Sequence, residues 1–212
     1  MIYPYALIGL IAAIMGLSGY VPYYYEVLRG RTKPHAFSWL VWGLLLSVGF
    51  FAASAKGGGP GTWSLGAPAV LELSLFVIAL FIGEKEIARI DIASLIAAIF
   101  GIILWILTTN PLWAVIIASV TDTVGYVPTV RKALSKPGEE SISVYAFSCV
   151  SFLLSLFALR SLNMTTALYP TVLFLSNGIF VLMVLIRRRQ LSQNGGKDGG
   201  KKKGAEKRTP KA

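Results

Sequence analysis

Two acidic residues lie inside long apolar segments of the chain. Asp122 stands in the middle of an apolar run, in the segment ASVTDT (118–123), and Glu72 follows Pro68 by one helical turn. A carboxylate inside a membrane is costly, so it is expected to face a cavity or a polar partner, and function is the default interpretation. Because loss of water disfavours the charged carboxylate, Asp122 is also the proton-coupling candidate.

Each of the polar residues in the apolar runs also has a structural interpretation. Asp122 could accept hydrogen bonds from Ser or Thr hydroxyls and hold two helices together. Glu72 could line an outer vestibule, or pair with Arg160 or Lys56. Asn177, near the middle of the last apolar run, could bind a solute or form an interhelical hydrogen bond. From the residues alone, both interpretations stay open for each position.

Aromatic residues form a second group of candidates. Trp39 and Trp42 are one turn apart and share a helix face. They could stack on a ring-shaped solute, or anchor the helix at the membrane interface. His35 has no companion that would suggest a metal or catalytic site. The sequence shows no nucleophile–base pair, phosphate loop or metal cluster, so we predict that the chain is not an enzyme and uses no cofactor and no metal.

The elements that must position these residues are apolar runs about as long as a bilayer is thick. With 55% hydrophobic and 14% charged residues, the chain has too little polar material for the shell of a soluble domain. The runs lack the alternation of a barrel strand, so helices are expected. We predict an all-α integral membrane protein with seven transmembrane helices at Tyr5–Leu28, Ala36–Ala55, Leu65–Gly83, Ile87–Thr108, Leu112–Leu134, Ile142–Arg160 and Thr166–Ile186.

The basic residues predict an orientation. Half of the 20 Lys and Arg residues follow residue 186, where the Gly- and Lys-rich segment 190–212 is expected to be a disordered cytoplasmic tail. Such a tail could contact anionic lipid headgroups, whereas we expect no nucleic acid partner. Loops on the same predicted side carry Arg29, Arg31, Lys33, Lys85, Arg89, Arg131, Lys132 and Lys136. The positive-inside rule then places the N-terminus outside and the C-terminus in the cytoplasm. We expect the protein to lie in the plasma (inner) membrane.

An internal repeat divides the membrane region. The sequence GYVP occurs at 19–22 and again at 125–128, and each copy is followed by a basic segment and a Lys-Pro pair. We therefore expect two three-helix bundles, residues 1–86 and 111–189, joined by a linker helix at 87–110. An odd linking helix makes the two bundles parallel, which is typical of duplicated transporters.

The repeated motif supplies a candidate inner gate. Its members are Gly19, Tyr20, Pro22, Gly125, Tyr126 and Pro128. A proline inside a helix removes a backbone hydrogen bond and bends the helix, so two equivalent prolines predict two hinges. The alternative is a static bend that only helps packing.

This three-plus-one-plus-three arrangement resembles the PQ-loop repeat superfamily, in particular its SWEET-like sugar transporters. The resemblance covers the whole membrane region and rests on the repeated proline before a basic loop. The chain is a divergent member, because Pro22 is followed by Tyr23 and Pro128 by Thr129, where the family has glutamine. The prolines that sugar-transporting members carry within the second helix of each bundle are also absent.

The resemblance implies roles for particular residues. It implies that an aromatic residue of the second helix, Trp39 or Trp42, stacks on the solute, with Tyr145 as its partner in the other bundle. It also implies that Asn177 contacts the solute, although Leu75 stands at the equivalent position of the first bundle. A symmetric pair of amides is therefore not expected.

Together these features predict a transporter of a small polar solute that works by alternating access between the two bundles. The mode could be uniport or proton coupling through Asp122. The alternative is a membrane receptor or scaffold on the same fold, which would recruit a partner or lipid through its basic tail. The sequence leaves the identity of the solute and the formation of a homo-oligomer open.

Overall fold

The computed structural model describes residues 3–31, 33–83, 89–135, 137 and 142–206, without the side chains of 90–91, 128–129, 131–132 and 192–206. The described residues form helices and no strand. The helices are α1 (Tyr3–Leu28), α2 (Ala36–Ala55), α3 (Trp63–Ile82), α4 (Arg89–Thr108), α5 (Leu112–Ser135), α6 (Ser143–Phe157) and α7 (Met164–Glu206), with a 3-10 turn at Gly59–Thr62.

Four helical segments are long and apolar enough to cross a membrane: Tyr3–Leu28, Ala36–Ala55, Gly59–Ile82 and Met164–Leu191. Three apolar segments within the described residues are shorter: Ile92–Thr108, Leu112–Val127 and Ser143–Phe157. With 15 residues, α6 is about 22 Å long, less than the roughly 30 Å of a hydrocarbon core. The protein is thus all-helical with membrane-spanning helices, and the count of seven spans stays a prediction.

Large apolar side chains cover the outside of the bundle. Phe81 is 81% exposed, Leu107 is 74% exposed and Ile106 is 70% exposed. Scattered apolar residues are normal on a soluble protein, but a continuous apolar surface needs a non-aqueous partner. Lipid tails provide one, in agreement with a membrane location.

The helix bounds differ from the predicted spans mainly in the second half. The helix α6 ends at Phe157, earlier than expected, because the Ala158 N–H turns back to the carbonyls of Leu154 and Ser155. The helix α7 continues along the backbone to Glu206, so no helix end coincides with the tail boundary expected at residue 190. The side chains of the tail lie outside the described residues, and its disorder stays a prediction.

Several basic residues on which the predicted membrane orientation rests also lie outside the described residues. Lys85 belongs to 84–88, Lys136 is not described, and the side chains of Arg131 and Lys132 are not described. The orientation of the chain in a membrane stays a prediction.

We call α1–α3 and α5–α7 the two halves of the bundle. In each half, the third helix packs against the other two helices. The helix α3 contacts α1 and α2, and α7 contacts α5 and α6. Between the halves, α1 contacts α6 and α2 contacts α5. The remaining helix, α4, packs against α5 and α2. The interior between the halves is therefore lined by helices from both ends of the sequence.

Backbone hydrogen bonds join the two halves at one end of the bundle. The Gly61 N–H donates to the carbonyl of Ala158 at 3.0 Å, and the Arg160 N–H donates to the carbonyl of Gly58 at 3.1 Å. Gly57 and Gly59 adopt φ values of +77° and +62°, which favour glycine and turn the chain toward these partners. We call this contact between residues 57–62 and 158–161 the latch.

A close approach of backbone to backbone supports the latch end. A Cβ atom added at Gly9 of α1 would lie 2.5 Å from the carbonyl oxygen of Pro60 in the 3-10 turn. Backbone atoms cannot yield as a flexible side chain does. Glycine therefore lets α1 pack directly on the latch.

We expect Gly9→Ala to lower the free energy of unfolding by about 1–3 kcal/mol, the usual cost of overpacking. Thermal unfolding of the purified protein in detergent measures it. Gly125→Ala is the matched control, since the nearest atom to its added Cβ is Trp42 Nε1 at 4.0 Å. A Gly9→Ala protein as stable as the control protein would contradict the close contact.

Candidate binding cavity

A cavity of about 400 Å³ lies between the two halves. Side chains from α1, α2, α3, α5, α6 and α7 line it, and it reaches Lys33 and His35 at the start of α2. Because α2 is 20 residues long, this end is about 30 Å from the latch. The volume is in the range of pockets that enclose small organic molecules.

The structure brings most of the predicted site residues together around this cavity. All the substrate-binding candidates line it, as do both tyrosines of the repeated motif: Trp39, Trp42, Glu72, Asp122, Tyr145, Asn177, Tyr20 and Tyr126. Their functional roles stay predictions.

Glu72 reaches into the cavity from α3 and is bound by a tyrosine of α1. The Tyr20 hydroxyl donates to Glu72 Oε1 at 2.6 Å, and Glu72 is only 6% exposed. Pairing with Arg160 or Lys56 was one of the alternatives for Glu72; the partner in the structure is Tyr20, and Arg160 lies at the latch against Gly59. The second oxygen, Oε2, is buried and has no hydrogen-bond partner among the described residues.

The second motif tyrosine makes an equivalent contact in the other half. The Tyr126 hydroxyl donates to Asn177 Oδ1 at 2.9 Å, and Asn177 Nδ2 donates to the carbonyl of Leu173 at 2.7 Å. By contact, the counterpart of Asn177 is therefore Glu72. Leu75, the counterpart expected from the sequence, is fully buried beside Tyr20.

Asp122 occupies the α5 side of the cavity. It is 6% exposed, and its Oδ2 atom has no hydrogen-bond partner among the described residues. The nearby hydroxyls of Ser119 and Thr123 donate to the carbonyls of Val115 and Ser119 within their own helix, each at 2.8 Å. Each hydroxyl has a single proton, so these two are not available to Asp122. The structural interpretation concerns hydroxyls on other helices, so both interpretations of Asp122 stay predictions.

Aromatic rings form a wall on each side of the cavity. In the first half, the Trp39 ring lies 5.0 Å from the Tyr23 ring and 5.5 Å from the Trp42 ring. In the second half, the Tyr145 ring lies 6.0 Å from the Tyr126 ring. Trp39 is 9% exposed, so it faces protein and cavity, whereas an anchor at the membrane interface would be exposed.

The gate candidates are placed less uniformly. Pro22 is exposed on α1, and the helix continues past it to Leu28. A Cβ added at Gly19 would lie 3.2 Å from Phe147 Cβ, so α1 and α6 pack closely there. At the equivalent Gly125, the α2–α5 contact is more open. Pro128 lies within α5, but its side chain is outside the described residues, and the hinge role of both prolines stays a prediction.

Two contributors to the cavity were not predicted. His35 caps the start of α2 by accepting the Ser38 N–H at Nδ1; the spacing His-x-x-Ser was the available signal, but histidine is an uncommon cap. Ser151 donates from α6 to the carbonyl of Ala12 in α1 at 2.6 Å. Nothing local in the sequence identifies such a partner, 139 positions away.

Fold and cavity together define a helical membrane protein with an internal, partly polar binding cavity. No family model, no characterised protein and no solved structure matches the chain. The resemblance to the PQ-loop repeat superfamily therefore stays a prediction.

The Tyr20–Glu72 contact is expected to contribute to stability as a coupled pair. We predict a coupling free energy of about 1–3 kcal/mol in a double-mutant cycle of Tyr20→Phe and Glu72→Leu, since either single change leaves a buried polar group without its partner and the double change leaves none. Chemical or thermal unfolding in detergent measures it. Tyr126→Phe combined with Glu72→Leu is the control, because Tyr126 donates to Asn177 and should show additive effects. Additivity in the Tyr20 cycle would contradict the contact.

Proposed function

We propose that this protein is a small-solute transporter that works by alternating access between two three-helix bundles. The observation that carries the proposal is the cavity itself. It holds buried polar side chains from both halves, it extends to one end of the bundle, and the latch joins the two halves at the opposite end. A receptor or scaffold does not require a solute-sized cavity of this kind.

The packing pattern supports the duplicated seven-helix architecture. Exchanging α1 with α5, α2 with α6 and α3 with α7 converts the α1–α6 contact into the α5–α2 contact, and it preserves the contacts of each third helix. A two-fold axis along the membrane normal produces this pattern. In this architecture α4 and α5, with 20 and 24 residues, are at least as long as α2, and the 15-residue α6 would complete its span through local thinning of the bilayer or flanking polar residues.

The latch is suited to reversible opening. It consists of backbone hydrogen bonds such as Gly61 to Ala158, each with a net contribution of about 0.5–1.5 kcal/mol. With the predicted orientation, the latch is on the outer side and the cavity faces the cytoplasm. Rocking of the bundles would break the latch and close the end near Lys33.

The chain offers a pair of positions for a test of this motion. A Cβ added at Gly57 would lie 3.6 Å from the Cβ of Ser161, within the approximately 3.5–4.5 Å range of disulfides. The Gly57→Cys/Ser161→Cys protein, with Cys149→Ala to remove the free thiol, should therefore cross-link the latch on oxidation. Ser148→Cys supplies a thiol in the cavity lining.

In proteoliposomes, we expect a small charged maleimide to label Ser148→Cys from both sides of the membrane under reducing conditions. After oxidation, labelling should persist only from the side of Lys33 and His35, and reduction should restore both. The single variant Gly57→Cys controls for strain at its positive φ of +77°. Labelling from one side in every redox state would indicate a static cavity and contradict alternating access.

A further inference from the structure

Two buried carboxyl groups in one cavity require a balancing charge. Glu72 and Asp122 are each 6% exposed, both line the cavity, and each has an oxygen without a hydrogen-bond partner among the described residues. Two like charges with little water around them repel and are poorly solvated, so they are expected to attract a cation or take up protons.

Among the described residues, no Lys, Arg or His side chain forms an ion pair with either carboxyl group. The ion pair found among the described residues joins Arg31 to Glu26 near the end of α1, away from both carboxyl groups. Lys33 and His35 line the cavity only at its end, where Lys33 is exposed to solvent. The other titratable groups that line the cavity are the hydroxyls of Tyr20, Tyr23, Tyr126 and Tyr145, which carry no positive charge.

We propose that the cavity binds an organic cation whose ammonium group lies between Glu72 and Asp122. The inference rests on the proposed transport function and specifies its solute class. The Oε2 and Oδ2 atoms, which have no partner among the described residues, would accept hydrogen bonds from the ammonium group or attract it electrostatically. The body of the solute would lie against the aromatic rings.

The aromatic wall suits an organic cation. Trp39, Trp42 and Tyr23 form one cluster, and Tyr126 and Tyr145 form another. Ring faces attract ammonium groups, most strongly where water is excluded. Carboxylates combined with such rings provide both a charge partner and an apolar surface for the carbon atoms of the same ligand.

Neutral solutes and metal ions fit this site less well. A neutral polyol would offer hydrogen bonds but leave the two acidic groups uncompensated. Hard metal cations take about six or more oxygen ligands, and no group of three His, Cys, Asp or Glu residues is found among the described residues. Asn177 adds no charge that would hold a metal ion, because its side chain is a neutral amide whose Oδ1 atom already accepts from Tyr126.

Charge can be separated from shape with two matched pairs of probes. Choline is compared with its neutral isostere 3,3-dimethylbutan-1-ol, and 1,5-diaminopentane with pentane-1,5-diol. The full chain in detergent is titrated, with thermal stability and tryptophan fluorescence as readouts. We expect at least one of the cations to stabilise the folded protein and change the fluorescence, with its neutral partner at least about tenfold weaker. Equal effects within both pairs, or no effect of either cation, would overturn the inference.

Carboxyl-to-amide variants locate the site. Glu72→Gln and Asp122→Asn are each expected to weaken binding of the cation about tenfold or more, since each removes a buried charge partner. Glu26→Gln removes a carboxylate outside the cavity, 40% exposed at its side chain, and should leave the affinity unchanged. Unchanged affinity in both cavity variants would overturn the inference. The comparison of isosteres on the wild-type chain stands even if a variant fails to fold.

Counterflow in proteoliposomes separates this inference from the proposed function. Exchange of radiolabelled choline or diaminopentane would support both. Cation binding without exchange would retain the cation site and argue against transport. Exchange of the neutral isosteres without the cations would retain transport and overturn the cation site.

Discussion

A polar atom buried inside a membrane protein has no water to bind, and this constraint governs the structure of the chain. Helices supply hydrogen-bond partners for most backbone N–H and C=O groups. Where the helices end at the latch, the Gly61 N–H and the Arg160 N–H find partners across it. The Ser151 hydroxyl of α6 donates a hydrogen bond to a backbone carbonyl of α1. Against this background, the free oxygens of Glu72 and Asp122 stand out as buried carboxyl atoms whose partner is not found in the described part of the protein.

The same constraint bears on the chemical difference between the two copies of the GYVP motif. Both copies of the GYVP motif place a tyrosine hydroxyl inside the bundle, and each hydroxyl needs an acceptor on the third helix of its half. In one half the acceptor is Glu72 and in the other it is Asn177. Either side chain satisfies the tyrosine, so packing alone does not select between acid and amide. The choice between acid and amide changes the charge of the cavity, so it can follow the requirements of function.

The sequence predicts most of the helices because the length of an apolar run directly reflects the thickness of the membrane. The structure confirms an all-helical chain, and α2 begins and ends at the predicted Ala36 and Ala55. Contacts between distant segments are much less predictable. Arg160 and Lys56 are the partners that the sequence suggests for Glu72, beside a place in an outer vestibule, whereas its partner is Tyr20, 52 positions away. That contact depends on the rotation and depth of α1 against α3, which a nearly uniform apolar surface does not encode. The Gly-rich segment before Thr62 closes on residues 158–161, and nothing local in either segment identifies the other as its partner.

The placement of the two acidic groups also bears on how the cavity and the latch are related. Closing the open end would remove water from Glu72 and Asp122, and in a low-dielectric interior an unbalanced pair of carboxylates opposes that step. In the proposed cycle, a bound cation or protons would lower this cost, so the bundles could rock only when the charge is balanced. The backbone hydrogen bonds of the latch contribute little to this control, since each has a small net energy. Control of the motion would then lie with the carboxyl groups in the cavity, and this is a reason for a transporter to retain costly buried charges that packing does not need.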